Sequence, residues 1–120
     1  MKMPTTNADL AEHATIYRDG LLDGKHVVVS GGGSGMGRAT AWLAARLGAS
    51  VTICSRKEEK LVNVVDAIRA QGLKADYVVA DIRSRESVAS AFEQIIGRHN
   101  RIDSLINSAG GQFPQPAIEY

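Results

Sequence analysis

Five of the seven residues from Gly31 to Gly37 are glycine, and they follow directly on Lys25-His26-Val27-Val28-Val29-Ser30. The β-branched run has the texture of a buried strand that stops at the glycines. Beyond them Met36, Ala39, Leu43 and Leu47 recur at helical spacing among alanines, and Gly48 is a natural helix stop. A strand, a glycine turn and a helix in immediate succession leave few folds open. Glycine permits a tight turn and lets backbone N–H groups come close to a bound phosphate. The helix N-terminus adds free donors and a favourable dipole. A plain flexible turn is the other reading of such a junction, and it needs fewer glycines than these.

Spacing within the loop narrows the choice. Gly32 and Gly37 match the glycines of the phosphate loop G-x-x-x-x-G-K-[ST]. Arg38 and Ala39 then stand where that loop needs a lysine and a magnesium-binding hydroxyl. The dinucleotide pattern G-x-G-x-x-G fails in every register. The pattern that fits is G-x-x-x-G-x-G, as Gly31, Gly35 and Gly37.

The rest of the chain repeats the same alternation. Ala49 to Cys54 is a second apolar strand. Ser55-Arg56-Lys57-Glu58 has the form of a capping box, with Ser55 as N-cap, and Leu61, Val64, Val65 and Ile68 form one helical face ended by Gly72. Lys74 to Ala80 reads as a third strand, Val88, Ala91, Phe92 and Ile95 as a third helix, and Arg101 to Ile106 as a fourth strand. Apolar strands alternating with amphipathic helices predict an α/β fold, a Rossmann-type doubly wound parallel sheet covered on both faces. Right-handed crossovers give the strand order 3-2-1-4, with ligands bound beyond the carboxyl ends at the switch point between strands 1 and 4. Residues 1–23 are weakly patterned and read as a lead-in arm, ordered only if it docks. Residues 24–120 read as the N-terminal part of a dinucleotide-binding domain.

Composition excludes several function classes. The 14 Lys+Arg and 13 Asp+Glu among 120 residues leave a formal charge of +1, which gives no basic field for nucleic acid or an anionic membrane. No apolar run approaches a membrane span. One cysteine, Cys54, excludes an internal disulfide framework and fits a reducing compartment. The first twenty residues resemble neither a secretory signal nor a transit peptide. The expected location is cytoplasmic, with a peroxisome or other organelle left open. His13, His26 and His99 have no metal-ligand spacing, and no metal is expected.

Four segments, each at the end of a strand, together resemble the short-chain dehydrogenase/reductase family over Gly24 to Glu119. They are the glycine loop after Ser30, Ser55-Arg56, Asp81-Ile82, and Asn107-Ser108-Ala109-Gly110, where the family commonly has Asn-Asn-Ala-Gly. The resemblance implies a cofactor site at Gly31, Ser34, Gly35, Met36, Gly37, Ser55, Arg56, Asp81, Ile82, Asn107, Ala109 and Gly110. An acidic residue ending the second strand would bind the ribose 2′-OH of NAD. Here Ser55 stands there with Arg56 and Lys57 behind it, and a guanidinium suits a 2′-phosphate, so NADP(H) is the expected cofactor. A solvated helix start is the other reading of Arg56 and Lys57. In the family the residue at Asp81 accepts from the adenine amino group; a loop carboxylate is the alternative. Ser108 is smaller than the usual asparagine and makes fewer hydrogen bonds.

Gly110-Gly111-Gln112-Phe113 is similar to the loop of peroxisomal-type trans-2-enoyl-CoA reductases and of 2,4-dienoyl-CoA reductases. Ser55-Arg56 and the Tyr17-Arg18 lead-in into Leu21-Leu22 fit the same branch. That resemblance implies NADPH-dependent reduction of an enoyl-CoA, a small-molecule acyl-CoA as substrate, and a homo-oligomer, a tetramer in relatives, at full length. A 3-oxoacyl or other carbonyl reductase, a non-catalytic NADP-binding module and a phosphate-binding α/β domain of another kind are the alternatives. The family's proton donor lies in Tyr-x-x-x-Lys, and no tyrosine here is followed four residues on by lysine. No catalytic residue is assigned, and the chain reads as a fragment carrying the cofactor site, inactive by itself. The open edge of the fourth strand, Leu105-Ile106-Asn107, is expected to be prone to pairing.

Overall fold

The computed structural model describes residues 6–108. Its elements are α1 (Asn7–Glu12), β1 (His26–Ser30), α2 (Gly35–Arg46), β2 (Ser50–Ser55), α3 (Glu58–Ala70), β3 (Ala75–Val79), α4 (Arg85–His99) and β4 (Ser104–Asn107). The sheet is parallel with order β3-β2-β1-β4, as the crossover argument requires. Val28 pairs with Thr52 and Leu105, and Thr52 with Asp76, so one register line crosses all four strands.

The strands' period of two divides the core. Val27, Val29, Val51 and Ile53 face α2 and α3, where Trp42, Leu61, Val64, Val65 and Ile68 complete the larger cluster. Val28, Cys54, Val78 and Ala80 face α4 through Ala91 and Ile95. Only the first β-strand is buried along its whole length; β4 is largely exposed, Leu105 included, and pairs only with β1 among the described residues. The α2 helix turns a different face inward from the one its large apolar residues suggest. Gly37, Ala41, Ala44 and Ala45 lie against the sheet with Trp42, while Met36 is 82% exposed. Small residues let this helix approach closely, and that close fit outweighs burial of one flexible methionine.

Two ends of helices differ from expectation. Ser55 is still strand: it pairs with Val79, and its carbonyl accepts from Ala80 N–H at 2.9 Å. The α3 helix therefore starts later, with Lys57 at its N-cap and no side-chain cap, and Ser55 to Glu58 is not a capping box. A true capping box lies in the lead-in arm, where Thr6 and Asp9 cap α1 reciprocally. This short helix docks on α2. Leu10 is buried, Trp42 Nε1 donates to Asn7 Oδ1 at 2.9 Å, and Arg46 donates to the Leu10 and His13 carbonyls at 3.0 and 2.7 Å.

Polar side chains close the amino end of the sheet. His26, 4% exposed, lies with Nδ1 2.7 Å from the Arg101 carbonyl and Nε2 2.8 Å from the Thr52 hydroxyl. Thr52 donates to Asp76, whose other oxygen lies 2.9 Å from His99 Nε2 and 3.3 Å from Arg98. The two imidazoles stack at 3.9 Å. The His26 backbone N–H donates to Asp103 at 2.8 Å. This row ties β1, β2 and β3 to the last turn of α4.

Candidate functional site

The carboxyl ends of the four strands open onto a cleft of about 940 Å³. Gly31, Ser34, Gly35, Met36, Gly37, Ser55, Arg56, Asp81, Ile82 and Asn107 all line it. Ala109 and Gly110, like Gln112 and Phe113, lie outside the described residues. The topology alone brings together segments up to 77 residues apart, a spread comparable with the His26–Asp103 bond that pins the far end.

The glycine loop is shaped by two demands. Gly31 leaves β1 at φ +82°, a left-handed conformation that a side chain disfavours. Gly37 packs its α-carbon against the Gly31 carbonyl so closely that a Cβ would collide with that backbone. The loop is pegged on both sides: Gly31 N–H donates to the Cys54 carbonyl and Ser108 N–H to the Ser30 carbonyl, each at 2.8 Å. The small Ser108 side chain sits beside Gly37, where its Cβ lies 3.2 Å from the position of the missing methyl.

Donor supply is concentrated at the cleft. Ser34 is the extended N-cap of α2, yet its side chain makes no capping bond, and α3 begins without one at Lys57. By contrast Thr6 and Ser84 cap α1 and α4 with their side chains. The two helices whose first residues line the cleft are thus the two whose early N–H groups have no side-chain acceptor. Such an end attracts anions.

Charge follows the same pattern. Arg56, Lys57, Lys60 and Arg83 line the cleft against one carboxylate, Asp81. Hydrogen bonds from the Arg83 side chain and backbone hold the Asp81 carboxyl below its ordinary value, and the Arg56 charge adds to them. Lys60 and Arg83 were not expected from sequence. A lysine in the first turn of a helix opposes the dipole, and that misfit is the signal which points to Lys60. For Arg83 the signal is an arginine two residues after the carboxylate. Cys54 is buried with Sγ 3.9 Å from the Val29 carbonyl, and burial pushes its thiol up, which suits a strand-end core residue and not a nucleophile.

What the arrangement offers is a strip of backbone donors and cations beside a groove that a flat, phosphorylated molecule would fill. Glycines that admit no Cβ, uncapped helix ends and unpaired-carboxylate scarcity all fit a dinucleotide. Among the described residues no cluster of His, Cys, Asp or Glu could hold a metal, and no helix is long and apolar enough to cross a membrane.

Comparison with known proteins follows the same residues. A family model described as short chain dehydrogenase matches residues 25–120. An A-factor type gamma-butyrolactone 1′-reductase (1S-forming) of Streptomyces virginiae is 42% identical over 75% of this chain and 35% of its own. A probable 2,4-dienoyl-CoA reductase 3 [(3E)-enoyl-CoA-producing] of Caenorhabditis elegans is 39% identical over 84% of this chain and 33% of its own. The solved structure of a citronellol catabolism dehydrogenase from Pseudomonas aeruginosa PAO1 superposes with a TM-score of 0.79 at 39% identity, covering 87% of this chain and 42% of that one. The chain spans about a third of the length of the curated relatives it matches.

Proposed function

The chain belongs to the short-chain dehydrogenase/reductase family, and from that premise we propose that its cleft binds NADP(H) in the service of an enoyl-CoA reductase. Members of the family use NAD(H) or NADP(H). The observation that carries the choice of NADP(H) is the end of β2, where Ser55 replaces an acidic residue and Arg56, Lys57 and Lys60 face the cleft. A carboxylate there would repel a 2′-phosphate; a guanidinium attracts it and can donate two parallel hydrogen bonds.

In this reading the N–H groups of Gly35, Met36 and Gly37 face the pyrophosphate, Arg56 holds the 2′-phosphate, and Asp81 accepts from the adenine amine. Asn107 lies beyond Ser30 across the β1–β4 pair, where its amide can serve both backbone and ribose. The bound nicotinamide supplies a hydride. Everything this chain contributes is binding and orientation; its residues carry no assigned proton donor.

Enoyl-CoA reduction is supported by the dienoyl-CoA reductase relative and by the Gly110-Gly111-Gln112-Phe113 similarity. Carbonyl reduction is the second reading, favoured by the gamma-butyrolactone 1′-reductase and by a 3beta-hydroxysteroid dehydrogenase of Mediterraneibacter gnavus, 35% identical over 76% of this chain. Assembly of the full-length protein into a homo-oligomer belongs to the same proposal. Two assays separate the readings. Titration of the chain with NADPH and NADH should show tighter binding of NADPH; a preference for NADH removes the cofactor assignment. NADPH oxidation by protein containing this segment should then be faster with a trans-2-enoyl-CoA than with a 3-oxoacyl-CoA, and the opposite order supports the carbonyl reading.

A further inference from the structure

We propose that Arg83 is a positioning residue that sets the purine specificity of the cleft, because its fork leaves the Asp81 carboxylate one acceptor position for a ligand. The inference rests on reading the cleft as an adenine-dinucleotide site. An ionised carboxylate offers about four lone-pair positions. Asp81 Oδ1 accepts from the Arg83 backbone N–H at 2.9 Å and from its Nε at 3.1 Å. Oδ2 accepts from Arg83 Nη2 at 3.1 Å. Three positions are filled by one residue, and the fourth lies on Oδ2.

The carboxylate is fixed from behind as well. Asp81 N–H donates to Ser87 Oγ at 2.9 Å, and Ser84 N–H donates to the Asp81 carbonyl at 3.0 Å. Ser87 N–H donates in turn to Ser84 Oγ at 3.2 Å, the cap of α4. The turn, the helix cap and the Arg83 fork therefore move as one unit, and Asp81 cannot swing its oxygens freely. A single fixed acceptor matches the exocyclic amine of adenine. A purine with a carbonyl at that position would set oxygen against oxygen. Arg83 is 70% exposed at its side chain, so its pairing with Asp81 contributes little to folding and can be removed without loss of the domain. A lysine would keep the charge and lose the fork, since its point-like ammonium cannot bridge both carboxylate oxygens in that geometry.

Calorimetric binding of NADP+ and of its deaminated analogue, hypoxanthine in place of adenine, tests this on the 120-residue chain and its Arg83→Ala and Arg83→Lys variants. The unsubstituted chain should prefer NADP+. Both variants should lose roughly threefold to fivefold of that preference, the scale of an exposed ion pair, by weakening NADP+ while leaving the analogue nearly unchanged. A preference that survives in either variant overturns the inference, and so does equal weakening of both ligands, which a merely structural role would produce. An unsubstituted chain that binds neither ligand contradicts the cofactor reading itself; one that binds both with no preference contradicts only the role given to Asp81 and Arg83.

Discussion

At the amino end of the sheet His26, Thr52 and Asp76 close on one another and on His99. At the carboxyl end the same three strands run out into Gly31, Ser55 and Asp81, which line an open cleft. Polar groups satisfy each other at one end and are left for a ligand at the other. The contrast extends to the helices: α4 ends with its last turn in the closed row, while α2 and α3 begin uncapped at the cleft. A domain of this size has little stability to spare. Closing one end with buried polar bonds is compatible with leaving donors unsatisfied at the other, because the two sets of groups share strands but no contacts.

If the ends are separable, substitutions should affect either binding or stability, and the largest effect is expected at the loop. Gly37→Ala puts a methyl into the Gly31 carbonyl, so the loop must move. NADPH binding should fall below detection by calorimetry, with about 1–3 kcal/mol of stability lost to overpacking; retained affinity would show that the loop does not cradle the ligand. The counterpart at the closed end is Asp76→Ala, which leaves His99, Arg98 and Thr52 without their shared acceptor. Urea unfolding should show a loss of about 2–3 kcal/mol, short of a fully buried pair because Asp76 keeps some solvent contact. NADPH affinity should be unchanged in the folded variant. A large loss of affinity would mean the two ends are coupled.

Arg56→Ala should act only at the open end. Discrimination between NADPH and NADH should fall about tenfold, the scale of one charge-assisted hydrogen bond, with the urea midpoint unmoved. Unchanged discrimination would leave Arg56 and Lys57 as a solvated helix start.

The mildest effect concerns pH. Burial lowers the His26 pKa from its ordinary 6.5, and the His99 ring lowers it further, outweighing the Arg101 carbonyl and the Asp76 and Asp103 charges. The unfolded chain therefore takes up this proton first, and stability present above pH 6.5 declines as pH falls through the folded value. Burial raises Asp76, but hydrogen bonds from Thr52 and His99 lower it more, so its share is present above its ordinary 3.8 and lost as pH falls below that. Urea midpoints measured from pH 8 downward should decline in these two windows, and His26→Gln should flatten the upper one. A midpoint that rises on acidification would contradict the assignment.

Much of this was legible from residues alone. Strand order followed from β-branched runs between helical periods, because such patterns are global over ten residues or more. The errors were local. Ser55 has the letters of an N-cap but is held in β2 by its partner in β3, a tertiary pairing that outweighs a capping preference. The α1 helix spans only Asn7–Glu12, too short for a period, and is held by Trp42 and Arg46 from another element. Met36 fits the apolar spacing of α2 but lies on the cleft side, since the sheet accepts only the small face. At the site, residues at strand ends were found because topology fixes where strands end. Lys60 and Arg83 escaped because their place depends on where a helix starts and how a turn folds.

The account turns on the separation of a ligand end from a stabilising end, and residue-resolved NMR during titration of the ¹⁵N-labelled chain with NADP+ tests it most directly. Saturable shifts should concentrate at Gly31 to Gly37, Ser55 to Lys60, Asp81 to Arg83, and Asn107 and Ser108, with Thr52, Asp76 and His99 unmoved. Shifts centred on the amino-end row, or none that saturate, would contradict it.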